Sequence, residues 1–276
     1  MKKTVLLSGL FLLSISIFTF CNRKANASNG EKSSEKSAKL LSITKNGITL
    51  TEFYSLESFE NASIQQSVSG TLDELDNNTI KINYETSNYT LGQQTNMNNI
   101  KSCANSAQGQ HIHCIVDNQP YNALYKDEAI VNTLKDGQHI VLSFISRSYH
   151  ESIKNKNAYT ITSAITGKSR YTARYAAPDL SSPMLFYSRP KGEYKGDETK
   201  AILLDFYLVN CDLSKDGFNV KVEINGTEFI LDKWSGYFME GLPQGENKIK
   251  LTLIDKKGKQ VDSPYSMSER TFKLSN

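Results

Sequence analysis

The 276-residue sequence has 6 prolines, 16 glycines, one tryptophan and four histidines. So little proline and glycine excludes a collagen-like or low-complexity chain. No stretch of helix length keeps a 3.6-residue apolar period, which argues against a helical bundle. Four of the 32 basic residues (Lys2, Lys3, Arg23 and Lys24) lie in the first 27 positions, where no acidic residue stands. The remainder is 28 basic against 29 acidic. Such a near-neutral body carries no electrostatic footprint for nucleic acid, and nucleic acid is not an expected partner. The four cysteines include no C-x-x-C pair, so thioredoxin-type redox chemistry has no motif to rest on. Also missing are G-x-S-x-G, a P-loop, G-x-G-x-x-G after a strand, H-E-x-x-H and an EF-hand loop. Ser148, His150 and Glu151 are triad residue types, but alternation on a strand separates their faces. No enzymatic activity is expected.

What is present begins with an export signal. Two lysines precede an apolar run from Thr4 to Phe20 that ends at Cys21, the n-region and h-region of a signal peptide spanning 1–21. The run is short and terminal for a retained membrane helix. Cys21 stands where bacterial lipoprotein signals place their acylated cysteine, and the segment resembles such a signal. Phe20 departs from the small residue usual before that cysteine. The rival site is Ala25-Asn26-Ala27, an A-x-A pattern that would release a soluble protein at Ser28. Either route leads out of the cytoplasm. The first implies a cell-envelope lipoprotein whose partner is the membrane, held through an N-terminal lipid, beside an envelope protein or ligand not identified by the sequence. Residues 22–57 read as a polar tether with a lead-in strand.

Beyond the tether the apolar residues come in short runs rich in Val, Ile, Thr, Tyr and Phe. Turn signals separate them: Asn46-Gly47, Asp136-Gly137, Asp216-Gly217, Asn225-Gly226 and Lys257-Gly258. Strand-length runs at this spacing predict an all-β fold. An internal repeat organises it. At a constant offset of 108, Ile112, Cys114 and Val116 fall on Val220, Val222 and Ile224. Tyr121 falls on Phe229, Gly137 on Gly245 and Val141 on Ile249. The reading is two tandem immunoglobulin-like β-sandwich domains, 58–167 and 184–276, with a joint at 168–183. Trp234 and Tyr237 are read either as an aromatic carbohydrate platform or, for Trp234, as a core or inter-domain residue.

All four histidines, His111, His113, His139 and His150, lie close together in the sequence of the first sandwich. The second repeat has Asn219, Lys221, Asn247 and Gly258 at the same positions, so the sandwich frame does not itself require histidine there. With Ile112, Cys114 and Val116 facing the core, His111 and His113 should share the outward, solvent face of one strand. Two such imidazoles joined by His139 or His150 make a candidate cage for zinc or copper, with Asp117 and Glu151 as orienting carboxylates. The other reading gives the histidines surface or packing roles and makes the chain a structural or protein–protein interaction module with no metal. Three cysteines remain after the signal. A Cys103–Cys114 bridge is one expectation and a buried, unpaired Cys114 the other.

The run Gly109-Gln110-His111-Ile112-His113-Cys114-Ile115-Val116-Asp117, then Gly137-Gln138-His139, then Tyr149-His150-Glu151, resembles a family of short exported bacterial proteins. Their pattern is H-x-H, an apolar pair and Asp, then G-x-H, then histidine after the strand. The resemblance covers residues 80–165 and implies export and a sandwich rather than a particular chemistry. Some members carry a phosphopeptide-binding assignment. Here Arg147 is the one obvious phosphate fork near the motif, where such recognition uses an arginine cluster.

Overall fold

The computed structural model describes residues 40–70, 78–98, 100, 103–167 and 177–276. Residues 1–21, read above as a signal segment ending at Cys21, most of the segment read as a tether, and residues 168–176 of the joint lie outside the described residues. Among the described residues no helix is long and apolar enough to cross a membrane.

The fold is all-β. Its strands are β1 Ser42–Lys45, β2 Ile48–Phe53, β3 Ser63–Gly70, β4 Ile80–Ser87, β5 His111–Val116, β6 Asn122–Leu124, β7 Glu128–Val131, β8 Gly137–Ser146 and β9 Tyr159–Thr166. They continue with β10 Met184–Arg189, β11 Gly192–Lys195, β12 Ile202–Val209, β13 Asn219–Ile224, β14 Thr227–Leu231, β15 Gly236–Glu240, β16 Gly245–Ile254 and β17 Met267–Ser275. Four sheets result: β3-β4-β7, β6-β5-β8-β9, β1-β2-β15-β12-β10 and β11-β17-β16-β13-β14. The first two make one sandwich around Ile80, Ile82, Ile112, Cys114, Val141 and Ile145. The last two make the other around Leu185, Leu204, Phe206, Val222, Phe229 and Leu251.

The repeat is visible in three dimensions. The first residues of β5, β7, β8 and β9 stand at one constant offset from the first residues of β13, β15, β16 and β17. It is the offset that relates the two halves of the sequence. The turn after β8 matches the turn after β16 bond for bond. Arg147 N–H donates to Glu151 O as Asp255 N–H does to Lys259 O, and His150 N–H donates to Arg147 O as Gly258 N–H does to Asp255 O. One correspondence fails. Val222 pairs with Phe229, but Cys114 pairs with Asn122. A one-residue slip turns a strand residue to the other face, so Phe229 enters its own sandwich core while Tyr121 faces away from its own.

Two features depart from a plain tandem. The second sandwich is not contiguous in sequence. The lead-in segment forms a hairpin at Asn46-Gly47, and β2 pairs antiparallel with β15, Leu50 opposite Met239 and Thr51 opposite Phe238. Ile48 and Leu50 thus complete the second core. The inner sheets of the two sandwiches also pack face to face. The runs Ile140–Ile145 in β8 and Ile202–Val209 in β12 are buried on both faces. Ile115, Leu142 and Phe144 meet Met184, Phe186, Tyr207 and Val209 in one cluster between the sandwiches. A near-continuous apolar run, broken here only by buried Ser143 and Asp205, in place of alternation is what a strand covered on both sides requires. Within this interface Asp205, fully buried, accepts from Lys154 Nζ at 2.7 Å and from Ser152 Oγ at 2.9 Å.

Candidate metal centre

The outer face of β5 is where the two sandwiches meet. His111 and His113 do point away from the first core, but that face is covered, and both side chains are fully buried. The solvent-facing expectation is corrected, because the second sandwich lies where solvent was expected. His113 Nδ1 lies 3.2 Å from Ser188 Oγ of β10, and its ring stacks on Tyr121 at 3.5 Å between centroids.

His150 completes the group. Its Nδ1 lies 3.0 Å from His111 Nε2, and His113 Nε2 lies 2.9 Å from the same His111 atom. Among the described residues these three are the metal-capable cluster, with ligand atoms all within 4.8 Å of one another. A tetrahedral ion with bonds of about 2.0–2.1 Å separates its ligands by about 3.3 Å, so little movement would bring the three nitrogens onto one ion. His111 Nδ1 donates to Gly109 O at 2.8 Å. A carbonyl can only accept, so the neutral ring presents a lone pair at Nε2. Tyr121 Oη lies 3.2 Å from His150 Nδ1.

His150 is held in the left-handed backbone region, φ +71°, at the position where the second repeat has Gly258 at φ +76°. That conformation costs a non-glycine residue about 1–2 kcal/mol. The turn itself is satisfied by glycine, as the second repeat demonstrates. The imidazole therefore stands at this position against a local backbone cost that glycine would not meet.

The electrostatics keep the rings neutral. Burial, and then the charges of Arg189 and Lys191, push the His111 pKa down to about 4. Burial also lowers His113, followed by its histidine neighbours, and lowers His150, followed by Arg189. Arg189 donates to Tyr194 Oη at 2.9 Å and lies over the Tyr121 ring. Lys191 Nζ sits 3.6 Å from the centroid of that ring and is itself pulled down to about 8 by burial and by Arg189. These two cations, and Tyr121 with its hydroxyl, were not found from the sequence. The register slip hid the orientation of Tyr121, and the cations arrive from the other sandwich.

The remaining candidates go elsewhere. His139 is not part of the cluster. Its Nδ1 meets Asp117 Oδ2 at 2.5 Å and its Nε2 meets Lys135 O at 2.9 Å, and the Asp117 hydrogen bond raises its pKa. Asn247 makes the equivalent bonds to Asn225 and to Pro243 O. His139 is thus a corner clip between two turns, and Asp117 is engaged with it. Glu151 accepts from Tyr149 Oη at 2.9 Å and pairs with Arg147 at 3.3 Å. Cys103 and Cys114 are free thiols, not a bridge. Cys114 belongs to the first sandwich core, whereas Cys103 packs with Phe53, Tyr149 and Phe238. Tyr237 is buried, so no paired aromatic platform forms. Trp234 donates its indole N–H to Phe206 O at 2.9 Å and meets Tyr207 edge-on, as an inter-sandwich residue.

No protein-family model matches the chain, and no curated protein matches it. Among solved structures, fibronectin(III)-like modules of Clostridium thermocellum CbhA align over 76% of this chain and 93% of their own, at 10% identity and TM-score 0.24. The two tandem V-type regions of a v-region-containing chitin-binding protein align over 76% of this chain and 99% of their own, at 9% identity and TM-score 0.22. The architecture described above rests on the sheet topology of the chain itself.

Proposed function

We propose that the chain is an exported, non-enzymatic binding module of the cell envelope, anchored through acylated Cys21, and that it holds one transition-metal ion on His111 Nε2, His113 Nε2 and His150 Nδ1. The observation that carries this reading is the convergence of three buried imidazole nitrogens, one supplied from a strained left-handed position. Neutral imidazole suits zinc and copper alike. The coulombic penalty of an ion beside Arg189 and Lys191 scales with its charge, which favours monovalent copper over a dication. The test is metal analysis and chelator competition on the chain from Ser28 onward, loaded under reducing conditions with copper and separately with zinc. One equivalent of copper per chain is expected, and it should be lost on replacing His111 by Asn and His150 by Gly. These are the residues of the second repeat, whereas lysine at position 113 would bury an ammonium beside Arg189. A folded wild-type chain that takes up neither metal at micromolar concentration overturns the reading.

The anchor has its own test. Cys21→Ala should move the protein from the membrane fraction to the soluble one. A wild-type protein that is wholly soluble and begins at Ser28 would replace the lipoprotein by the soluble exported form.

A further inference from the structure

Among the described residues the second sandwich carries edge strands that the first lacks, β11 beyond β17 and β2 beyond β15. In the second, the outer edge of β15 is occupied by β2, and the hairpin turn reaches across to the opposite sheet. Lys45 Nζ donates to Glu228 O at 2.8 Å, and Asn46 Nδ2 donates to Thr227 Oγ1 at 3.2 Å, both on β14. The hairpin therefore closes the open side between the two sheets. In the first sandwich β7 and β6 stand where β15 and β14 stand. Among the described residues no strand pairs with the outer edge of β7. A groove of about 440 Å³ lies there, lined by Ala123, Leu124, Ala129 and Val131 and flanked by Asn122 and Asn132. Ile130, at its rim, is 52% exposed.

The backbone at this edge is ready to pair. Tyr84 N–H donates to Asp127 O, and Ile82 lies opposite Ala129 and Ile80 opposite Val131. In an antiparallel ladder hydrogen-bonded and non-hydrogen-bonded pairs alternate. Ala129 and Val131 thus bond to β4, while Glu128 and Ile130 turn their N–H and C=O groups toward the groove. Edge-facing N–H and C=O groups with no strand partner among the described residues, beside a groove whose side chains include Leu124 and Val131 between two asparagines, are the form of a strand-addition site.

We infer that the β7 edge is a docking site for an extended, uncharged-cored peptide segment of another protein, added antiparallel with apolar residues at alternate positions. The occupant's chemistry is read from β2, which fills the equivalent edge with Ile48 and Leu50 turned inward and threonines between. A single extended segment fits better than a second copy of the β1–β2 hairpin. At the corner beyond β15, a Cβ on Gly241 would lie 2.1 Å from Gly47 O. The counterpart of Gly241 in the first repeat is Thr133, in the same left-handed conformation. Its side chain bars a turn from approaching the first sandwich as closely as Gly47 approaches the second.

The test uses the full exported chain and a fluorescein-labelled peptide with the sequence of residues 47–54, Gly-Ile-Thr-Leu-Thr-Glu-Phe-Tyr, read by anisotropy and by hydrogen exchange. Saturable binding with new protection at residues 128–132 is expected. Ile130→Pro, which removes an edge-facing N–H and leaves the β4 bonds intact, should weaken binding about tenfold or more, the worth of one or two backbone hydrogen bonds. A peptide N-methylated at alternate positions should lose the same factor without any change to the protein. No saturation by ~1 mM, binding to Ile130→Pro within about twofold of wild type, or protection confined to 236–240 would each overturn the inference. So would a wild-type dimer that Ile130→Pro dissociates, which would reassign the edge to a second copy.

Discussion

Replacing His150 by glycine separates site from scaffold. The backbone there sits at φ +71°, so glycine recovers most of the ~1–2 kcal/mol that the left-handed conformation costs. Part of that gain, about 0.4–1 kcal/mol, is returned through the greater freedom of glycine in the unfolded chain. The side chain takes with it the Nδ1 contacts to His111 Nε2 at 3.0 Å and to the Tyr121 hydroxyl at 3.2 Å, worth about 1 kcal/mol because one ring nitrogen serves both, together with the desolvation of a ring beside Arg189. The terms nearly cancel. His150→Gly should change metal-free stability by less than about 1 kcal/mol, where truncation of an ordinary buried side chain costs about 2–5 kcal/mol. His150→Ala keeps the Cβ in the same conformation and should be about 1 kcal/mol less stable than His150→Gly. Metal affinity should fall at least ~100-fold in both, beyond the range seen when only an outer partner is lost. Urea unfolding of metal-free protein and chelator competition read the two quantities separately. Destabilisation of His150→Gly by more than about 3 kcal/mol would show that the imidazole is there for packing. Undiminished affinity would remove it from the metal site.

Three further outcomes follow from the same geometry. The His111 pKa of about 4 in the fold lies below its ordinary value near 6.5. The folded state therefore binds fewer protons, and metal-free stability is complete above pH 6.5 and declines as pH falls toward 4, by up to about 3 kcal/mol. Urea midpoints across that window should show the decline in wild type and a flatter profile in His111→Asn. Lys154→Met leaves fully buried Asp205 without its cation and should cost about 3–5 kcal/mol; a loss under about 1 kcal/mol in thermal unfolding would mean that Ser152 alone suffices for the carboxylate. A fragment of residues 184–276 lacks β2 and exposes the faces that Ile48 and Leu50 cover, each worth about 1.5–3 kcal/mol. By circular dichroism it should be poorly folded until residues 40–57 are restored, and a cooperatively folded 184–276 would show the hairpin to be dispensable.

The strand pattern, the internal repeat and the core residues Ile112, Cys114 and Val116 were legible because period-two alternation is local. The burial of His111 and His113 was not, because it depends on what packs on the outer face. The signal for it was nevertheless present in the run Ile140–Ile145, apolar but for Ser143, which a half-exposed strand does not need. His139 was decidable from the repeat, since Asn247 makes the same two bonds and asparagine there implied a corner role. His150 opposite Gly258 carried the sharpest hint, a side chain at a glycine position. Tyr121 was hidden by a one-residue register change that no alignment of apolar residues reveals. Arg189 and Lys191 were hidden by a separation along the chain that only packing closes. The hairpin partner of β15 was equally non-local.

That hairpin also sets an order of events. The first sandwich is spliced into the second, since Thr51 pairs with Phe238 and the whole of the first sandwich lies between them in sequence. At about 5–20 residues per second, synthesis leaves β2 without β15 for roughly 10–40 s. An apolar strand waiting that long is exposed to pairing with the wrong edge. Its local neighbour shortens the hazard: β1, a short strand with Ser42, Thr44 and Lys45 turned outward, can cover one side of β2 as soon as Asn46-Gly47 turns. The short polar strand at the margin of the finished sheet thus leaves β2 a single open edge during assembly, the one its distant partner takes.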